Sequence, residues 1–599
     1  MEDERIARVV SQATKLRWNR RQVLKRGAAL GLSIPALGTL LAACGGDDDE
    51  SPTATTAPAP APTATTGGSA EPTATTGSAP EPTATTAAPT GGGGIINVND
   101  TTGDKAIGNP IITGAGTWTS WLAFNRLMYF DDTGTMVPEL AANWSWSEDS
   151  LELTITLNEA TWQDGEAFDA DDVIFTWDTL AAEKTDSNLK SRMQIGGEFV
   201  KWEKVDAQTV KITTPEPFAP FLVGQNYIAI IPEHLLSGSA DINTDPFNTA
   251  PIGTGPFRIT EWRPDEYVKL ERYDGYFAGP APADGFTIYF QADTDVGAAS
   301  LQAGEIDMMF TPPEIQPNYE NDPNFVLHNY VYYTPITLAF NHKHPILKDL
   351  KVRQAILLAI DKQTLVDTVT KGRGLVASNQ FADTGPLDRY NDYDNVKPSE
   401  FDVAAANALL DEAGYARGSD GIRVAPTGER MSFNIVTYAG FEEYVNDQVI
   451  LQEMLGEIGI ELTPQVIEYA TLEGMWADPN DDPANRALEV QEWPHPFEFD
   501  PDLFDELHSS NFPPGLNYMW FADDEIDKLI EQGRTETDPE ARVDIYRKID
   551  VRRAELIPAI PLYIAVDGWV VSSRVKGVAD TPYFRQYRLY ASREWWKEA

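Results

Sequence analysis

The sequence predicts an α/β sheet architecture, because strand-like and helix-like patterns interleave from Ile95 onward. Leu151-Glu-Leu-Thr-Ile-Thr-Leu157 alternates apolar and polar residues with period two, the mark of a half-buried strand. Asp169-Ala-Asp-Asp-Val-Ile-Phe-Thr-Trp-Asp-Thr-Leu180 sets acids at a helix start and then apolar residues at helical spacing. Val352–Val366 and Val403–Ala413 read as amphipathic helices. Gly414-Tyr415 reads as a helix C-cap, and Gly459-Ile-Glu-Leu462 as a cap leading into a strand. Asp164-Gly165 is a hairpin turn signal rather than an acid catalyst.

The chain has 599 residues, room for two to four domains and a sizeable core. Acidic residues number 92 against 46 basic ones. A surface so negative repels nucleic acid and anionic headgroups, which argues against a phosphate-tracking role. A single cysteine excludes an intramolecular disulfide and a thiolate metal cluster.

The position of that cysteine explains it. A basic run, Arg17-Trp-Asn-Arg-Arg-Gln-Val-Leu-Lys-Arg26, precedes an apolar stretch from Gly27 to Ala43 that Pro35 interrupts. That stretch is barely long enough to span a bilayer, and the pattern is that of a signal peptide. Arg20-Arg21-x-Val-Leu-Lys25 resembles the twin-arginine export motif, with Val23 where Phe is commoner. Leu41-Ala-Ala-Cys44 resembles a lipobox, which implies cleavage before Cys44 and a diacylglycerol on its sulfur. Two or three acyl chains hold firmly, at about 0.8 kcal/mol per buried methylene. Removing 1–43 takes away eight Lys/Arg and three Asp/Glu, so the formal charge goes from −46 to −51.

Residues 44–94 read as a lipidated cysteine and a disordered stalk. Pro-Thr-Ala-Thr-Thr starts at Pro52, Pro62, Pro72 and Pro82, and the stretch ends in Gly91-Gly-Gly-Gly94. A repeat without large apolar side chains cannot offset its ordering entropy. About fifty flexible residues span roughly 40 Å. The threonine density permits O-glycosylation.

The globular part resembles the peptide/nickel class of extracellular solute-binding proteins, family 5. The resemblance opens with Asn125-Arg-Leu-Met-Tyr129, Val137-Pro-Glu-Leu-Ala-Ala-Asn-Trp144, Thr161-Trp-Gln-Asp-Gly165 and Phe168-Asp-Ala-Asp-Asp-Val173. It continues through Gly253-Thr-Gly-Pro-Phe257, Ala339-Phe-Asn341, Val352-Arg-Gln-Ala355, Ala359-Ile-Asp-Lys362 and Ala408-Leu-Leu-Asp-Glu-Ala-Gly414. Asp523-Asp-Glu-Ile-Asp527 and Ile560-Pro-Leu-Tyr563 complete the collinear series. It implies a two-lobed periplasmic-binding-protein-like fold of the large peptide-binding type, with a hinge and a central ligand cleft. Lobe I is expected over 95–334 and again over 563–599, with lobe II as the insert 335–562. The crossings are expected near Tyr333-Thr-Pro335 and Pro561-Leu-Tyr563, where a few residues absorb a rotation.

Bland readings sit beside these. Gly253 and Gly255 serve a turn or tight packing, since neither glycine-rich phosphate fingerprint is present. Arg353 reads as half of a structural ion pair, with Asp349 at i−4 as the candidate partner, in preference to a ligand contact. His342-Lys-His344 would face one side of a strand, as a metal site or, in preference, a solvated strand end.

No His-Glu-x-x-His, Gly-x-Ser-x-Gly or Walker A sequence occurs, so no enzyme and no cofactor is expected. Cleft recognition rests on aromatic walls and a few polar groups. Trp118 and Trp121, then Gln225 and Tyr227, are the lobe I candidates; each aromatic is equally open to a core reading. Lobe II offers Tyr438, Trp493, His495, Phe497, Asn517 and Trp520. In peptide-binding relatives the Trp493 segment carries an Asp that pairs with the ligand's amino terminus. Here Pro494-His-Pro-Phe497 occupies that stretch and the next acids are Glu498 and Asp500, which puts free-amino peptides in doubt.

The resemblance thus implies an importer's substrate-binding subunit, monomeric and lipid-anchored on the extracytoplasmic face. It would take up oligopeptide, or alternatively a di- or oligosaccharide or a nickel complex, and hand it to an ABC permease and its ATPase.

Overall fold

The computed structural model describes residues 93–598 apart from 101–107, 114–116, 132, 292, 333, 380, 383–384, 440, 493–498 and 579–589. The expected signal peptide, Cys44 and nearly all of the expected stalk therefore lie outside the described residues.

Two sheets organise the chain. Ile95–Asn99 buries Ile96 and Val98 and lies between two parallel partners, Gly285–Tyr289 and Met308–Thr311. Antiparallel strands extend this sheet on both sides to seven, in the order Phe257–Arg263, Tyr267–Arg272, Gly285–Tyr289, Ile95–Asn99, Met308–Thr311, Val566–Ser572, Phe325–Val331. The second sheet has six strands, in the order Leu375–Val376, Ala559–Ile564, Ile336–Phe340, Leu488–Glu492, Ser432–Tyr438, Glu461–Ile467. Each sheet has its own core. The first draws on residues such as Ile96, Trp177, Phe286 and Trp595, the second on Leu338, Ile356, Leu451 and Ile560. These are the two lobes.

Local chemistry sets the elements. Glu152–Leu157 shows the alternating burial its sequence requires and pairs inside a four-stranded antiparallel sheet on lobe I. The helix Ala170–Ala181 begins at Asp169, which forms a reciprocal capping box with Asp172. The expected single helix Val352–Val366 is instead two, Leu350–Ala359 and Lys362–Val369. Asp361 breaks it by accepting from the amides of Gln363 and Thr364, an N-cap inside an apolar periodicity that would otherwise continue. Gly414 and Gly459 end helices at φ +86° and +82°, as their sequence context required.

Arg353 departs from the expected pairing. Its guanidinium is buried and donates to the carbonyls of Leu347, Lys348, Leu556 and Ile557. The last two belong to the end of the helix Pro539–Leu556, whose final carbonyls lack intrahelical partners. Asp349 instead caps its own helix and accepts from the Tyr415 hydroxyl. Gly253 and Gly255 are packing glycines without positive φ: a Cβ would stand 1.9 Å from the Ala123 carbonyl oxygen at the first and 2.5 Å from the Ala123 carbonyl carbon at the second.

His342 and His344 lie in a turn beyond the strand Ile336–Phe340, not on it. His342 meets the Pro558 carbonyl at 3.1 Å, and burial drops its pKa to about 3. His344 faces Phe433 at 5.1 Å and accepts from the Ile346 amide, so the two imidazoles diverge. Among the described residues no group of three or more His, Cys, Asp or Glu is arranged to hold a metal ion. No described helix is long and apolar enough to cross a membrane.

Candidate ligand cleft

The chain passes between the lobes twice. The first passage lies between Phe325–Val331 and Ile336–Phe340, the second between Ala559–Ile564 and Val566–Ser572. Tyr563, expected to open the return to lobe I, still pairs with Ile336 and Val376 in the second sheet, so the return begins at Ala565. The two passages run side by side: Val331 is paired with Val566, the Tyr332 amide donates to the Ala565 carbonyl at 3.0 Å, and Ile336 is paired with Tyr563. A two-stranded ribbon thus connects two sheets with separate cores. Beside it the Tyr563 hydroxyl donates to Asp447 at 2.8 Å, and burial raises that carboxyl to about 8.

Away from the ribbon the lobes touch through a small set of contacts. Phe130 and Val223 of lobe I pack with Phe499 of lobe II, the first pair at 4.6 Å between ring centroids. The Ala219 amide donates to the Arg534 carbonyl at 2.8 Å, and the Arg534 guanidinium lies 4.8 Å from the Phe218 ring. Arg373 of lobe II donates to Glu320 of lobe I at 2.5 Å.

A pocket opens on the lobe II sheet one residue past the first passage. It is lined by Thr337, Ala339, Gln491, Glu506, Leu516, Tyr518 and Met519. Facing strands bring Thr337 opposite Gln491, and the Gln491 amide donates to the Tyr518 hydroxyl. Tyr518 stacks on Trp476 at 5.1 Å, and the Trp476 indole donates to Glu489, which also pairs with Arg486 at 3.2 Å. Burial, with the Asp505 and Asp502 charges adding to it, pushes the Glu506 carboxyl well above the usual carboxylate range. The space is about 10 Å³, room for a single water-sized group, and the side chains around it all belong to lobe II.

The residues picked from sequence distribute unevenly around this pocket. Tyr438 ends a central strand; the Thr437 hydroxyl before it bonds the Val490 carbonyl, so Tyr438 reaches the sheet end that carries the ribbon. There it meets Phe441, Tyr444 and Tyr469 at 5.2–5.6 Å. Asn517 is buried beside the pocket but spends its amide on the carbonyls of His508 and Phe521. Trp520 turns toward Phe512 and lies under the Lys343 ammonium at 4.2 Å, beyond the far end of Ile336–Phe340. Trp493, His495 and Phe497 lie outside the described residues.

In lobe I, Trp118 and Trp121 are enclosed by the core. Trp118 meets Trp569 and Trp595 edge-on, and Arg126 covers Trp121 at 3.5 Å. Behind them Glu139 accepts from Arg593, from Asn125 at 2.5 Å and from the Arg126 amide at 2.6 Å. Gln225 contacts Met193 at 3.3 Å, and Arg192 lies 4.8 Å from the Tyr227 ring. Both follow Val223, which touches lobe II through Phe499.

Thr337, Gln491, Glu506 and Tyr518 were not picked from sequence. Tyr518 lies between the candidates Asn517 and Trp520, and Gln491 two residues before Trp493. Glu506 stands in Leu503-Phe-Asp-Glu-Leu507, where it and Asp505 lie among three apolar residues, a pattern that does not single it out.

A family model of bacterial extracellular solute-binding proteins, family 5 (middle part), matches residues 135–524. The chain belongs to this family. Its members are binding proteins rather than enzymes, and they act outside the cytoplasm. The oligopeptide-binding protein AppA of Bacillus subtilis is 28% identical over 497 residues, covering 79% of this chain and 89% of AppA. Among solved structures, the same AppA in complex with a nonapeptide superposes with a TM-score of 0.69 at 27% identity, covering 85% of this chain and all of that one. NikZ of Campylobacter jejuni in complex with Ni(L-His) gives 0.70 at 26% identity, covering 84% and 99%. The two-lobed mixed α/β fold is shared with both.

Proposed function

We propose that this protein captures an oligopeptide between its lobes, closes around it by rotation at the two-stranded ribbon, and presents it to an ABC permease driven by a separate ATPase. The observation that carries this reading is the two-stranded ribbon joining two sheets with separate cores, where a few residues can absorb a rotation of one lobe against the other. A ligand touching both lobes binds the closed form better, and that difference alone shifts the population. The AppA–nonapeptide structure supports peptide as the solute. The Ni(L-His) complex of NikZ makes a metal chelate the second reading. The chain makes and breaks no bond of its own and works as a monomer.

The N-terminal signals complete the proposal. Residues 1–43 direct twin-arginine export and are removed; Cys44 receives lipid; 44–94 act as a tether that lets 95–599 swing above the membrane. Mass spectrometry of solute retained by the purified protein tests the central part. A peptide, at one per chain, is expected. A sugar or a metal chelate would replace the solute, and cleavage of an added peptide would replace the binding reading with an enzymatic one.

A further inference from the structure

We infer that the lobes are held shut by a latch away from the ribbon, in which the Phe499 ring of lobe II seats on lobe I, so that part of the affinity for a solute comes from contacts the solute never touches. This rests on the closure reading above and names what holds the closed form. Phe130, Val223 and Phe499 make an apolar cluster of their own, separate from both lobe cores, and are only 6, 7 and 8% exposed. Phe130 ends the first strand of the hairpin Met128–Phe130 and Met136–Pro138, whose turn holds Gly134 at φ +76°. A Cβ at Gly134 would stand 2.3 Å from Pro386 Cγ and 3.3 Å from Phe499 Cδ1, both in lobe II. The turn therefore meets lobe II with bare backbone, and glycine is the residue that fits. Phe499 is itself at φ +69°, a conformation that bulky residues keep only where their surroundings hold them.

A second cluster belongs to the same latch. The Arg534 carbonyl accepts from the Ala219 amide at 2.8 Å. Its guanidinium lies 4.8 Å from Phe218 of lobe I and 4.1 Å from Phe504 of lobe II, and Asp502 holds it at 3.2 Å. Shortly after Arg534, the Thr537 hydroxyl meets that of Ser150 in lobe I at 3.3 Å. The Arg373–Glu320 pair differs from these, because Leu375 beside Arg373 is paired with Ile564 at the foot of the ribbon, where rotation moves least. None of the latch residues is paired with a ribbon strand, so a rotation that parts the lobes breaks these contacts and returns Phe130, Val223 and Phe499 to water. Their burial thus favours the closed form alone. A solute that needs that form binds in proportion to how often it is populated.

The test reads closure without any solute. Cys44 is the only cysteine, so the full chain carrying Cys44→Ala, Ser150→Cys and Thr537→Cys has two thiols, one on each lobe, where the native side chains approach to 3.3 Å. Such a pair joins only while the lobes are together, and its rate of cross-linking by diamide reads the closed population. In solute-free chain refolded from denaturant, Phe499→Ala should slow that rate about tenfold or more. Gly134→Ala should slow it likewise, because its Cβ meets Pro386. Adding Pro386→Gly to Gly134→Ala should restore the rate, which a general loss of stability in either lobe would not allow. Thermal unfolding shows whether each variant is folded, and if Phe499→Ala is not, the Gly134 and Pro386 variants decide. Equal rates with and without Phe499, or a Gly134→Ala defect that Pro386→Gly leaves in place, overturns the latch. A faster rate in Phe499→Ala would assign the contact to the open form and overturns it too. The closure reading is judged apart, by scattering: lobes that do not rotate keep one radius of gyration on adding solute, whatever the cross-linking rates.

Discussion

Asp447 makes the stability of lobe II depend on pH in a direction that can be worked out in advance. The residue is fully buried on the helix Glu442–Glu457, accepts from Tyr563 beside the interlobe ribbon, and leaves its second oxygen without a hydrogen-bond partner. Burial raises its pKa from 3.8 to about 8, with Tyr563 opposing and the Glu443 charge adding. The folded state therefore holds a proton that the unfolded chain releases near pH 4. The associated stability is fully present below the unfolded value, declines as pH rises from about 4, and is lost by about 8. Each pH unit is worth about 1.4 kcal/mol per group, so the full window amounts to something on the order of 5 kcal/mol. Asp447→Asn keeps the shape and an acceptor for Tyr563 but cannot ionise. Thermal unfolding followed at intervals between pH 4.5 and 8.5 should show wild type and variant close together at the acid end and the variant pulling ahead as pH rises. Parallel curves would mean that Asp447 is ionised in the fold, and the assignment of its environment would be wrong.

Other consequences follow from single contacts. Gly253→Ala drives a Cβ into the Ala123 backbone carbonyl at 1.9 Å and should cost at least 1–3 kcal/mol in lobe I, read by thermal unfolding; an unchanged transition would refute the close packing. Arg353→Met should lower stability by about 2–4 kcal/mol, because four carbonyls, two in buried and two in part-buried hydrogen bonds, lose their donor, and should leave solute affinity in the folded fraction unchanged. Cys44→Ala should release the protein from alkaline-washed membranes; retention at the wild-type level would remove the lipid anchor from the account.

How much of this was legible in the sequence depends on the kind of signal. Periodicity and caps speak through neighbours in the chain, so the strand ending at Leu157 and the helix opened by Asp169 could be read directly. Gly253 could be read as a packing glycine because the alternatives demand fingerprints that are absent. Asp361 was harder: the apolar spacing continues across it, and only its side chain's competition for the backbone ends one helix and begins another. The cleft was the least legible. Trp118 and Tyr438 look alike in composition, yet one is enclosed between Trp569 and Trp595 and the other ends a strand beside the ribbon. Which of two aromatics faces a ligand is decided by strands from distant parts of the chain. The Arg353 pairing failed for the same reason: four carbonyls, two of them some two hundred residues away, outcompete a carboxylate one turn back.

Closure on a solute is the claim on which the rest depends, and X-ray scattering of the mature protein tests it most directly. Protein freed of retained solute by unfolding and refolding, and lacking the tether, should give a smaller radius of gyration on saturation with a bound peptide, which is then recovered intact at one per chain. An unchanged radius from a solute-free start, or recovery of cleaved peptide, would contradict the account.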